Sequence, residues 1–120
     1  MEDLREQQRE ALQTLAEYSP RLINAMKNVV KELDGNRQPD TDEYLKGIVD
    51  GMNWEIAIFN GTKDYINEDQ ERIDKVGANA VIIQFNEAYQ EKNDAKMVEL
   101  LTGDVLNFFE KLEAAAKELA

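Results

Sequence analysis

Ser19 is the only serine in the chain, and neither a cysteine nor a histidine accompanies it. A Ser-His-Asp triad cannot be assembled from this sequence. Thiolate nucleophiles, thiolate zinc sites, disulfides and imidazole bases are excluded with it. A di-iron site of the ferritin kind needs Glu-x-x-His pairs and falls for the same reason. What remains for chemistry is carboxylates, lysines and tyrosines. Two carboxylates stand out by position, Glu55 within an apolar helix face and Glu87 at a similar place on the following helix. A carboxyl group buried there without a partner would have a raised pKa and could serve as an acid, a base or a polar latch. The simpler expectation is that each lies at the edge of its face and reaches solvent or a lysine. Hard metals usually need more ligands than two carboxylates. Asp40-x-Asp42 also lacks the glycine and the downstream glutamate of a calcium loop. The sequence therefore predicts no catalytic residue, no metal and no cofactor.

Composition bounds the scaffold that would have to position these groups. The 120 residues suit one domain, 1–120, large enough for a core without cross-links. A hydrophobic share of 42% with 32% charged residues is too apolar for disorder and too charged for a membrane span. The longest run of large apolar residues is Val81-Ile82-Ile83, against the roughly 20 residues of a spanning helix. The start, Met1 to Glu6, has no signal-peptide pattern, so a cytoplasmic location is the expectation and the Asn60-Gly61-Thr62 sequon is discounted. The net charge of −11 is spread evenly. Residues 1–34 carry five basic and seven acidic side chains, while 35–67, 68–93 and 94–120 each carry three and six. With no basic segment, neither nucleic acid nor an anionic membrane surface is an expected partner. A basic protein fits this charge, and so does plain solubility.

Periodicity supplies the elements. Leu15, Tyr18, Leu22, Met26, Val29 and Leu33 recur at helical steps, predicting a first helix over about 3–34. Pro20 lies inside it, and because the stripe runs in phase across the proline, a kinked continuous helix is expected rather than a restart capped by Ser19. Asp34-Gly35-Asn36 predicts its stop, with Gly35 in the left-handed position. Asp40-Thr41-Asp42-Glu43 predicts a capping box. Helices of about 41–66 and 70–92 follow, separated near Asn67-Glu68-Asp69; a stop at Asn60-Gly61 is the alternative. A last helix over 94–119, capped by Asp94, carries Val98, Leu101, Val105, Phe108, Leu112, Ala115 and Leu119 in an unbroken pattern. Phe109 falls beside that seam as an exposed neighbour. The predicted fold is all-α, an up-down-up-down four-helix bundle with its first helix kinked at Pro20. Three long helices that complete their core by dimerising are the runner-up.

The second helix carries two stripes. Tyr44, Leu45, Ile48, Met52, Ile56, Phe59 and Ile66 form a broad apolar face, and off it lie Gly47, Gly51, Trp54, Ile58, Gly61 and Tyr65. Three glycines in one helix cost about 1 kcal/mol each against alanine, so compensation is expected. Glycines aligned with a tryptophan and a tyrosine suggest a close-packing surface with aromatic anchors. The plainer reading is a helix buried on two sides. Met26, Met52 and Met97 are read as core filler.

The sequence thus predicts a non-enzymatic, acidic protein-interaction module whose contact residues are Gly47, Gly51, Trp54, Ile58, Gly61 and Tyr65. The stripe, the acidic surface and the lack of reactive residues suit an adaptor, chaperone-like or regulatory role, and in size, charge and helix content alone the chain resembles small acidic export chaperones. The alternative is a structural, self-associating homodimer. A carboxylate enzyme would need Glu55 and Glu87 in one pocket.

Overall fold

The computed structural model describes residues 4–120. Helix α1 spans Leu4–Leu33, α2 Thr41–Ile66, α3 Lys75–Gln90, α4 Asp94–Leu101 and α5 Asp104–Leu119. Four helices pack against each other, with α4 and α5 together occupying the fourth position. The fold is an all-α four-helix bundle, about 49 × 24 × 20 Å. Its long axis is set by α1, whose thirty residues extend about 45 Å.

Polar contacts between helix ends record the alternating direction. Arg5 pairs with Glu68, joining the start of α1 to the end of α2. Thr41 Oγ1 donates to Glu32 Oε1 at 2.8 Å, joining the opposite ends of the same pair. Arg37, between α1 and α2, holds Asp94 at the start of α4 through Nε and Nη2 (2.6 and 2.8 Å). Arg72, between α2 and α3, holds Glu118 at the end of α5.

Packing is uneven around this frame. α1 is the spine, with α2 along one side and α4 and α5 along the other. α3 rests on α4 and α5 and makes almost no close backbone approach to α2. The core is continuous, running from Leu12, Leu15 and Met26 through Met52 and Phe59 to Met97, Phe109 and Leu112.

The predicted stripes are found, while several boundaries differ. α1 runs unbroken through Pro20, which is exposed and leaves the Ala16 carbonyl without its usual helical donor. The predicted beginning at Asp3 lies outside the described residues. Gly35 does take the left-handed conformation, with φ 89°. The capping box at Asp40 does not form: Asp40 makes no side-chain cap bond, and Thr41 instead turns inward, accepting from the Gln38 amide. α3 begins at Lys75 rather than near residue 70. The intervening loop is organised by Asn67, whose Oδ1 accepts from the amides of Arg72 and Ile73 while its Nδ2 donates to the Ile73 carbonyl. That loop buries Ile73, which a helix starting at residue 70 would have placed differently.

The predicted helix 94–119 is two helices. Thr102 Oγ1 bonds back to the Val98 carbonyl at 2.7 Å, and Gly103 N-caps α5 with φ −127° and ψ −111°, outside the helical region. The cap of α4 is Asn93, whose Oδ1 accepts from the Lys96 amide; Asp94 is the first helical residue and is held by Arg37. Phe109, expected at the surface, is 1% exposed with its ring 5.0 Å from that of Phe108.

Candidate functional site

The second stripe of α2 lies along the outer edge of the α1/α2 seam, where its six residues divide into three kinds. Gly51 is buried, and a Cβ there would collide with Tyr18 Oη and lie 3.2 Å from Leu22 Cδ1. Its missing side chain leaves the room that the Tyr18 and Leu22 side chains occupy. Gly47 and Gly61 are exposed, with nothing within 4 Å of a Cβ, so the close-packing role does not extend to them. Gln8 Nε2 does reach the Gly61 carbonyl, at 3.1 Å.

Trp54, Ile58 and Tyr65 present side chains at this edge. Trp54 is 41% exposed, and Ile58 and Tyr65 are half-buried. Tyr18 packs edge-on against Trp54, with ring centroids 5.4 Å apart. Tyr44 lies further along the seam, its hydroxyl 3.4 Å from the Ala25 carbonyl. Of the four tyrosines and one tryptophan in the chain, Tyr18, Tyr44, Trp54 and Tyr65 all fall here. They form a row about 30 Å long, from the rise between Tyr44 and Tyr65 on one helix. Beside Gly47 the seam opens into a depression of about 350 Å³ between Tyr18 and Tyr44, floored by Leu22, Ala25 and Ile48. Tyr18 and Tyr44 could be assigned to this row only from the packing of α1 on α2; in sequence both read as core.

Behind the row sits the buried carboxylate. Glu55 is fully enclosed, against the expectation that it would reach solvent. Ser19 Oγ lies 3.1 and 3.0 Å from its two carboxylate oxygens and donates to the group. No cation joins them. Burial pushes the Glu55 carboxyl up to about 7, the Ser19 hydrogen bond opposes this, and Glu113 on α5 adds to the rise. Tyr18 is raised as well, by burial first and the Glu55 charge second. Ser19 was the residue whose isolation excluded a triad, and here it solvates a carboxylate inside the bundle. The signal that could have found the pair was in the pattern, since both residues fall on apolar faces of helices that must touch.

Glu87 is exposed on α3 and is not brought to Glu55. No group of three acidic residues able to hold a metal occurs among the described residues. No described buried side-chain nitrogen or oxygen lacks a hydrogen-bond partner, so the interior leaves no orphaned polar atom to be met by a ligand. Met26, Met52 and Met97 lie in the core, as read from the sequence. No described helix is long and apolar enough to cross a membrane.

Comparison with curated proteins finds no match. Comparison with solved structures finds none either. A family model described as Domain of unknown function (DUF8042) matches residues 10–115. That span takes in all of the seam from Tyr18 to Tyr65 and the Ser19–Glu55 pair, and the chain belongs to this family.

Proposed function

We propose that this protein is a non-enzymatic protein-interaction module that engages another protein through the aromatic row on the α1/α2 seam. The observation that carries this is the half-exposed line of Tyr44, Tyr18, Trp54 and Tyr65 on an otherwise charge-rich surface. Tyrosine and tryptophan dominate binding interfaces because they offer large rigid area and a polar tip at small entropy cost. Charged neighbours such as Arg21 and Glu43 supply a polar rim around the depression beside Gly47. Gly51 belongs to the scaffold of this surface, and Gly47 keeps the depression open. An adaptor, chaperone-like or regulatory role in the cytoplasm fits such a surface, with no cofactor required.

A second copy of the chain is the other occupant to test, because a twofold interface could close the same row. Light scattering with Trp54 emission from the same sample decides between them. A monomer with red-shifted, quenchable emission is expected. A dimer whose emission shifts blue with concentration would assign the row to self-association and overturn the adaptor reading.

A further inference from the structure

The opposite flank of α2 differs from the seam in kind. Where α2 and α3 fail to approach, their boundary holds two depressions of about 380 and 160 Å³. The larger, at the start of α2, has Leu45, Tyr89 and Met97 in its wall with Arg37 and Lys92. The smaller, toward the end of α2, has Ile56, Phe59 and Ile82 with Lys63 and Lys75. Along the helix from Leu45 to Phe59 the two are about 20 Å apart, four turns. Their walls carry Arg37, Lys92, Lys63 and Lys75, with Asp42, Asp94 and Asp64 beside two of them, in a chain with 14 basic and 25 acidic side chains. Arg37 is taken up by Asp94 and Asp42, and Lys75 lies 3.4 Å from Asp64. Lys63 and Lys92 make no ion pair among the described residues, and they stand at opposite ends of the boundary.

Lys92 adds an independent observation. It sits just beyond the cap of α3 with φ 54°, the only described non-glycine residue in the left-handed region. The Lys92 and Asn93 amides donate to the Tyr89 and Ala88 carbonyls, the bond pattern of a Schellman turn, in which glycine is the relaxed residue. Gly35 fills the left-handed position after α1. A lysine held in this strained conformation brings a cation to the groove end at the expense of the turn.

We propose that the α2/α3 boundary docks an acidic amphipathic helix of another protein. Its apolar side chains enter the two depressions four turns apart, and its carboxylates meet Lys63 at one end and Lys92 at the other. A helix laid in a groove by spaced apolar anchors is a recurrent recognition mode. Acidic partners are otherwise repelled by this surface, so Lys63 and Lys92, which carry no ion pair among the described residues, select where such a helix can land. The site is distinct from the aromatic row, and either can fail without the other.

The probe is a synthetic helical peptide of roughly 18 residues with leucines on one face and glutamates toward both ends, beside the same peptide with lysines for glutamates. Fluorescence anisotropy reads affinity, and backbone amide shifts of the full chain read location. The glutamate peptide should bind with shifts at Ile82, Tyr89 and Lys63, and the lysine peptide should not. Lys63→Gln and Lys92→Gly should each weaken binding by roughly tenfold, while Lys117→Gln on α5 leaves it unchanged. Lys92→Gly should also melt at a higher temperature than the parent, which separates lost contact from lost fold. Equal binding of both peptides, shifts confined to the Trp54 side, or no binding overturns the proposal. A dimer whose interface maps to Lys63 and Lys92 overturns it too, by giving the boundary to a second copy.

Discussion

The two flanks of α2 meet their neighbours in opposite ways. On the α1 side the helices close tightly, and Tyr18 lies over Gly51, which has no side chain. On the α3 side the backbones stay apart, and Lys63 and Lys75 line a depression between them, with Lys75 reaching Asp64 of α2. One flank is aromatic, with the Tyr18 hydroxyl over Gly51 and the Tyr44 hydroxyl at the Ala25 carbonyl, and the other is apolar at depth with cations at its ends. The same helix thus makes a stiff edge and an open one.

The largest effect is expected where the open flank reaches the core. Phe59 is 3% exposed and packs edge-on against Phe108 at 5.3 Å, so Phe59→Ala should cost about 3–5 kcal/mol in urea unfolding. A loss near 1 kcal/mol would mean that this flank is surface throughout.

Behind the tight flank, Glu55 makes stability depend on pH. Its folded pKa of about 7 stands above the ordinary value of 4.5, so the folded state holds this proton more strongly. The neutral form carries no penalty below pH 4.5, and stability falls as pH rises toward 7 and levels off beyond it. The interval corresponds to about 3 kcal/mol. Glu55→Gln keeps an acceptor for Ser19 and should remove this slope, leaving the variant more stable than the parent at pH 8. Parallel unfolding curves for the two proteins from pH 5 to pH 8 would show that the carboxylate is solvated.

Gly51→Leu should displace Tyr18 and cost about 1–3 kcal/mol, with Trp54 emission moving to the red as its edge-on partner leaves. Trp54→Ala should cost only about 1 kcal/mol, because much of the ring already faces solvent, while removing association through the row. The smallest effect has the opposite sign. Gly47→Ala and Gly61→Ala meet open space in a helix and should each stabilise by about 0.5–1 kcal/mol in thermal melts. A loss at either position would return it to the packed part of the seam.

Much of this arrangement is legible in the residue pattern, and the reasons differ by element. The stripe from Leu15 to Leu33 could be read because burial of one face imposes a period that the sequence carries openly. The stripe from Val98 to Leu119 was equally clear, yet it concealed the break at Thr102-Gly103. Apolar spacing reports which side faces the core, and a two-residue turn can keep that side while redirecting the axis. The stripe from Gly47 to Tyr65 is mixed in kind, since glycine spacing does not say which glycine meets another helix. Glu55 was misjudged for a related reason. A single carboxylate on an apolar face reads as an edge residue, and only the neighbouring helix shows that Ser19 arrives to solvate it.

By itself the sequence determined an all-helical bundle, its direction changes near Gly35, Asn67 and Asn93, and the absence of thiol and imidazole chemistry from this chain. These follow from local rules, because hydrophobic period, turn residues and side-chain inventory need no knowledge of distant neighbours. The tertiary structure alone decided which positions share a surface. It gathered Tyr18 and Tyr44 from two helices beside Trp54. It also placed Lys63 and Lys92, both without an ion pair among the described residues, at the two ends of one boundary of a chain whose charge, counted along the sequence, is acidic in every segment. Charge and aromatic surface act through space over several ångströms, and residues close in space are set by packing rather than by order along the chain.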